Sequence, residues 1–347
     1  MSPPRASLLL RGALVTSVVL LGACGGGSGS GGDGGSSTQT LTIGLAYDVG
    51  GLGDGGANDA ALVGLSKAKD ELGAEVQTFE PDSTGSDRAD VIDLLAAGDA
   101  DLVIGIGAGY GDAIAKAARE HPDTWFAIVD DDTISGPNIM SLAFMEEQSA
   151  YLAGAAATLT SGAHHLGVVA GPDDPRMQLL QAGYTAGARK VVPATKVDVA
   201  HLPPPASGAP LDPAAAKALA LGLYGGGAQV VLAAPAAIDE PVFAAAVEQG
   251  GGVRAVGVDT DQFTSAPAAV QPVVLTSLLK RVDVAVFTAI QAVAGDQARA
   301  GVRRLGLAAD AVGYSTSGGL LPPDVVSRLE DLKAQILGGQ IQVPTIP

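Results

Sequence analysis

The sequence has little of what most catalytic and metal-binding chemistry needs. It holds one cysteine, one tryptophan and four histidines in 347 residues. A single cysteine excludes an internal disulfide and any cysteine-rich zinc site. Four histidines leave little material for imidazole catalysis or a histidine-based metal centre. Aromatic residues make up only 4%, so groups able to stack on a planar ligand are scarce. Charged residues are 16% of the chain, and their signs are uneven: 37 acids against 20 bases, a formal net charge of −17. A surface of that sign repels phosphate backbones, which argues against a nucleic-acid partner. The chain has no G-x-S-x-G elbow, no H-E-x-x-H, no C-x-x-C and no P-loop lysine. Gly105, Gly107, Gly109 and Gly111 suggest a dinucleotide fingerprint, but the spacing fails because Tyr110 stands where the third glycine belongs. These absences predict that the protein is not an enzyme and needs no cofactor and no metal. What is plentiful is glycine, 48 residues, about twice the usual ~7% share. That excess implies tight turns or a linker.

The ends of the chain differ from its body. Residues 1–24 read MSPPRASLLLRGALVTSVVLLGAC. Arg5 and Arg11 give a positive start, and Leu14 to Leu21 is an apolar run of signal-peptide length, short for a membrane span. It closes on Leu21-Gly22-Ala23-Cys24, which resembles the bacterial lipobox, where the cysteine is lipidated and becomes the mature N-terminus. An ordinary export signal with a chance cysteine is the plainer reading. The sole cysteine standing at the one place the motif requires favours lipidation. Residues 25–40 open with GGGSGSGGDGGSS, a Gly/Ser linker with too little apolar surface to fold. Export, lipid and tether together predict an extracytoplasmic domain anchored to the cell membrane. Removing Arg5 and Arg11 with the signal takes the charge from −17 to −19.

From residue 41 short apolar strands alternate with helices. LTIGLAY (41–47), DLVIGIG (101–107), TWFAIVD (124–130), HLGVVAG (165–171) and QVVLAA (229–234) are strand-like runs separated by helical spacing. That alternation predicts parallel sheets covered on both faces, in two doubly wound lobes. Ligands of such sheets bind beyond the carboxyl ends of the strands. The residues to inspect are therefore Asp48, Gly109-Tyr110, Asp130, Asp173, Pro203 to Asp212, Ala236 to Asp239, Asp259 and Lys280. An aspartate after a strand is often only a turn former or a helix cap.

Several segments, in order, are similar to the basic membrane protein (BMP) family of ABC-transporter substrate-binding lipoproteins, which includes purine nucleoside receptors. They are YDVGGLGDGGAND (47–59), FAIVD (126–130), NIMSLAFMEEQSAYLAG (138–154), QAGY (181–184), GVDTDQ (257–262), LTSLLK (275–280) and ILGGQIQVP (336–344). The resemblance implies an α/β, type I periplasmic-binding-protein fold: two Rossmann-like lobes, a hinge and a ligand cleft between them. It implies lobes made of 41–144 with 258–298 and of 145–257 with 299–347. The chain would then cross between them near 142–146, 256–260 and 298–315. It implies ligand contacts from Asp48, Asn58, Asp130, Asp259 and Lys280. Carboxylates accept hydrogen bonds from ribose hydroxyls or base N–H groups, and a lysine donates to hydroxyl or ring acceptors. The chain departs from the family pattern where aromatic side chains would stack on a base: Ala57 and Pro210 stand there, with Val49 beside Asp48. Tyr110, in a glycine-rich loop, is the candidate replacement. Arg176, near a helix start, is a candidate for the cleft wall.

The function this implies is a monomeric solute-binding lipoprotein that closes on a small, nucleoside-like ligand and serves ABC permease subunits. A ligand-binding sensor without a transporter is the alternative within the binding class. A nucleoside hydrolase using the Asp130-Asp131-Asp132 run is the alternative within the enzyme class.

Overall fold

The computed structural model describes residues 40–347 apart from 54, 163, 207 and 208. Cys24, the apolar leader and nearly all of the expected 25–40 linker lie outside the described residues. Among the described residues, no helix is long and apolar enough to cross a membrane.

The first half runs β1 Thr42–Ala46, α1 Ala57–Leu72, β2 Glu75–Phe79, α2 Arg88–Ala97, β3 Leu102–Ile106, α3 Gly111–Glu120, β4 Trp125–Val129 and β5 Ile139–Phe144. Then come α4 Glu146–Thr160, β6 His165–Ala170, α5 Pro175–Val191, β7 Lys196–His201, α6 Pro213–Gly225, β8 Val230–Ala234, α7 Asp239–Gln249 and β9 Arg254–Gly257. The rest is α8 Gln262–Ser265, β10 Val274–Lys280, α9 Val282–Ala294, β11 Gly301–Leu305, β12 Val312–Tyr314 and α10 Pro323–Leu337. The strands form two six-stranded sheets, β11-β5-β4-β3-β1-β2 and β12-β10-β9-β8-β6-β7. Every pairing is parallel except that of β12 with β10. The central strands LVIGI and VVLAA are buried at every position, whereas the edge strand EVQTF is mostly exposed. That is the burial expected of parallel sheets sandwiched between helices.

Sheet membership corrects two of the expected boundaries. Val274–Lys280 pairs with β9 and so belongs to the second lobe, not to a 258–298 piece of the first. Gly301–Leu305 pairs with β5 and so belongs to the first lobe, not to a 299–347 piece of the second. The chain leaves the first sheet after Phe144, returns between Lys280 and α9, and leaves again after Leu305. The second crossing is therefore some twenty residues later than 256–260. An apolar strand reads the same in either sheet, so its own residues do not reveal which edge it joins.

The second lobe is held by an unusually close helix pair, α4 with α5. A Cβ placed on Gly183 would lie 2.3 Å from the Glu147 carbonyl, and one on Gly187 would lie 1.8 Å from that of Tyr151. Only glycine allows this approach, because the facing atoms are backbone. Two helix starts are capped by aspartate followed by proline. Asp174 accepts from Met177 N at 2.9 Å, and Asp212 accepts from Ala214 N at 2.9 Å.

Candidate functional site

The carboxyl ends of the two sheets carry the charged groups. Asp130 follows β4 and Asp259 lies two residues beyond β9, and both take left-handed backbone angles, φ 65° and 69°. This conformation costs an L-residue about 1–2 kcal/mol, least for aspartate and asparagine. Each is fixed by main-chain bonds. Asp130 N donates to Leu142 O at 3.0 Å, and Lys280 N donates to Asp259 O at 2.8 Å.

Lys280, at the end of β10, joins the two. Its Nζ lies 2.7 Å from Asp130 Oδ2 and 3.7 Å from Asp259 Oδ1, and its side chain is 7% exposed. The ammonium also stands 5.8 Å from the Phe144 ring centre, within cation–π range. Asp130 belongs to the first lobe and Lys280 to the second, so this ion pair spans the two lobes.

Arg176, in the first turn of α5, continues the row. Its Nε and Nη2 hold Glu146 in a two-pronged clasp at 2.9 and 2.7 Å, and Nη2 also donates to Asp259 Oδ1. Such forks fix geometry as well as charge. The order is Asp130, Lys280, Asp259, Arg176, Glu146: acid and base in strict alternation. Burial works against the charge on Lys280 and Arg176. Asp259, Asp130 and Glu146 outweigh it, and both cations titrate above their ordinary values. Burial also pushes Asp259 up, but Lys280 and Arg176 together hold its carboxyl below the usual range.

Beneath this row lies Asp239, 2% exposed, at the start of α7. Burial pushes its carboxyl well above the usual range, against the lowering effect of the bond from Val258 N at 3.2 Å. Its Oδ1 is buried without a hydrogen-bond partner among the described residues.

Asp48, after β1, forms a separate cluster. It pairs with Arg88 at 2.8 Å and accepts from Val49 N at 2.8 Å. Gly107 makes room for it: a Cβ there would stand 2.6 Å from Asp48 Oδ2, and φ is 95°. One strand, β3, separates β1 from β4. Two inter-strand steps set the Asp48 and Asp130 ends about 10 Å apart.

Two of the expected contact residues have other work. The Asn58 amide donates to Asp48 O at 3.0 Å and to Gly51 O at 2.8 Å, and it accepts from Asp48 N at 2.9 Å. It ties off the 48–58 loop, and its polar groups are committed there. Tyr110 is 0% exposed, and its hydroxyl donates to Tyr47 O at 2.6 Å. A ring sealed in the first-lobe core cannot stack on a ligand. Burial pushes its hydroxyl up to about 12. Arg88 and Glu146 were not expected. Arg88 opens α2, nine residues beyond the end of β2. Glu146 sits inside the 138–154 resemblance, two residues past β5, where its charge was the available signal.

The sequence profile for the PnrA-like ABC transporter substrate-binding proteins matches residues 42–346. The chain belongs to this family. Its members bind a substrate for an ABC transporter and are not enzymes, which removes the hydrolase alternative. Among curated relatives, a CD4+ T-cell-stimulating antigen of Listeria monocytogenes is 32% identical, with 96% of this chain and 97% of the relative covered. A lipoprotein of Pyrococcus furiosus is 32% identical over 80% of this chain and 70% of its own length. The ABC transporter nucleoside-binding protein BmpA of Lactococcus lactis is 28% identical, covering 72% of each chain. Among solved structures, a solute-binding protein of an ABC transporter system from Aeropyrum pernix K1 superposes with a TM-score of 0.69 at 25% identity. It covers 88% of this chain and 94% of that one. The two-lobed type I fold expected from the sequence is thereby established. For this PnrA-like protein the alternating row of charges at the strand ends is the candidate binding site.

Proposed function

We propose that this protein captures a nucleoside outside the cytoplasm, as a monomer tethered by lipid on Cys24, and delivers it to ABC permease subunits. The observation that carries the reading is the Asp130–Lys280–Asp259 cluster, in which one lobe supplies an acceptor and the other the matching donor. A ligand that hydrogen-bonds both sides stabilises the closed arrangement over the open one. The crossings after Phe144, Lys280 and Leu305 serve as the hinge. Asp48, about two strand spacings away, marks a second end suited to a ligand with two linked rings. The relative from Lactococcus lactis, named as nucleoside-binding, supports the ligand class. The lipobox-like segment and the relative named a lipoprotein support the anchor.

The test is mass spectrometry of small molecules released when the purified protein is denatured, followed by calorimetry on ligand-stripped protein. Release of a nucleoside and its rebinding are expected. Failure of every common nucleoside to bind to folded, stripped protein overturns the reading. For the anchor, Cys24→Ala is expected to move the protein from the membrane fraction to the soluble extracytoplasmic fraction.

A further inference from the structure

We propose that the second lobe holds a further binding site, separate from the charged row: the cavity at the starts of α6, α7 and α8 takes a small organic cation, a primary ammonium on an apolar body, with Asp239 as its counter-ion. The inference does not depend on the nucleoside reading above.

Three observations carry it. The first is the cavity itself, about 700 Å³ between the start of α6, the turn into α7 and the segment from Gln262 to Pro267. None of Asp130, Glu146, Arg176, Asp259 and Lys280 is in its wall. It therefore lies beside the row and not within it.

The second is a buried carboxyl with an idle oxygen. Of the charged wall residues Lys217, Asp239 and Glu240, only Asp239 is buried, at 2% exposure. Its Oδ2 accepts from Val258 N at 3.2 Å, whereas Oδ1 has no hydrogen-bond partner among the described residues. Main chain packs closely on the bonded side: a Cβ on Gly257 would stand 3.1 Å from Oδ2. A buried polar group left unpaired is costly, and more so once it is charged. A ligand N–H at Oδ1 removes that cost.

The third is the chemistry of the rest of the wall. Lys217 is already held by Glu248 at 2.7 Å, so the acids set the sign and an anion is disfavoured. Ala214, Ala236, Pro241, Phe243 and Ala244 offer an apolar surface to a hydrocarbon body. Among the described residues no three metal-type ligands converge, so a bare divalent ion finds too few oxygens. An ammonium brings both the donors and the opposite charge.

The groups around Asp239 give the site a pH dependence. Burial and Asp259, beyond β9, raise its titration, and Arg176, from α5, lowers it. α6 adds Lys217 and α7 adds Glu240 at the cavity, while β8, α8 and the turn into α7 bring no charge. A bound ammonium favours the ionised carboxyl. Its binding therefore expels a proton and strengthens as pH rises.

The experiment titrates three probes with a phenyl body and different heads: phenethylammonium, 2-phenylethanol and 3-phenylpropanoate. Each is added by calorimetry to full-length, ligand-stripped protein in detergent, with a blank titration into detergent alone. At pH 8 phenethylammonium is expected to bind at least about tenfold more tightly than the other two. Its affinity should fall at least about tenfold from pH 8 to pH 5, with proton release read from the heats in two buffers of different ionisation enthalpy. Asp239→Asn should weaken it at least about tenfold and flatten the pH dependence. Ala244→Phe narrows the cavity without touching the carboxyl and should weaken it as well. Asp130→Asn, in the row, should leave it within about threefold. Folding of each variant is checked by thermal melting. Propanoate that binds as tightly as the ammonium overturns the choice of a cation. A loss in Asp130→Asn as large as in Asp239→Asn places the probe in the row and overturns the separate site. Unchanged affinity in folded Asp239→Asn overturns the role of Asp239. Failure of wild-type protein to bind phenethylammonium at pH 8 overturns the site itself.

Discussion

The two lobes carry their charges differently. In the first lobe, Asp48 and Arg88 form one isolated pair with side chains 42% and 23% exposed. Asp130, 32% exposed, finds its cation only in the other lobe. In the second lobe Lys280, Asp259, Arg176 and Glu146 are cross-linked, with side chains 33% exposed or less. They stand above a helix pair in backbone contact. The first lobe thus presents acceptors that water can still reach. The second presents a prearranged set of donors and acceptors. A charge lost from a buried, cross-linked set leaves its partners uncompensated, whereas an exposed pair is replaced by water at little cost.

The largest expected effect tests that contrast directly. Lys280→Met leaves Asp130 and Asp259 without their shared cation. It should cost about 3–5 kcal/mol in urea unfolding and abolish nucleoside binding in calorimetry. Arg88→Met in the first lobe should cost below about 1 kcal/mol. Equal losses would erase the distinction between the lobes.

Next is the scaffold beneath the second-lobe charges. Gly187→Ala forces backbone apart and should destabilise by about 1–3 kcal/mol. Gly222→Ala, in α6 of the same lobe with nothing within 4 Å of the new methyl, should stabilise by up to about 1 kcal/mol. Thermal melts of the two variants therefore move in opposite directions.

Asp239 gives a pH dependence of known sign. Its folded carboxyl is raised above its unfolded value, so its contribution is present at acid pH. That contribution is lost as pH rises from the ordinary carboxylate range, near 4, toward the raised folded value. Asp239→Asn removes this loss. Its melting temperature should exceed that of wild type by a margin that grows between pH 5 and pH 8. A constant margin would mean that the buried carboxyl does not titrate differently on folding.

Asp198→Ala is the smallest. Its pairs with Lys196 and His165 lie in the first half of β7, away from the charged row at the strand ends. Both melting temperature and nucleoside affinity should stay within about 0.5 kcal/mol of wild type.

Much of this was legible in residue order. Fully apolar strands such as LVIGI and VVLAA announce a parallel core, and Asp130, Asp259 and Lys280 stand at strand ends where ligands of such sheets bind. Other features were hidden. Gly301–Leu305 (GVRRL) sets two adjacent arginines among apolar residues, as an exposed edge strand of either lobe could, and only its pairing with β5 reveals its lobe. Asn58 and Tyr110 occupy loop positions that suit a ligand contact as well as a structural brace. Hydrogen bonds to Asp48, Gly51 and Tyr47 decide the matter, and such bonds depend on three-dimensional closure. Glu146 gave only a charge at a helix start, because its partner Arg176 is thirty residues away.

The glycine contact between α4 and α5 bears on how such a receptor can be repurposed. Glu146 opens α4 and Arg176 opens α5, and the spacing of the two helices is set by main chain touching main chain. The side chains at 146 and 176 are thus mounted on a frame that does not depend on them. A library randomised at these two positions, with Gly154, Gly183 and Gly187 kept, would vary the chemistry of the cleft while leaving its dimensions fixed. Such a library is a starting point for biosensors that report new hydroxylated solutes.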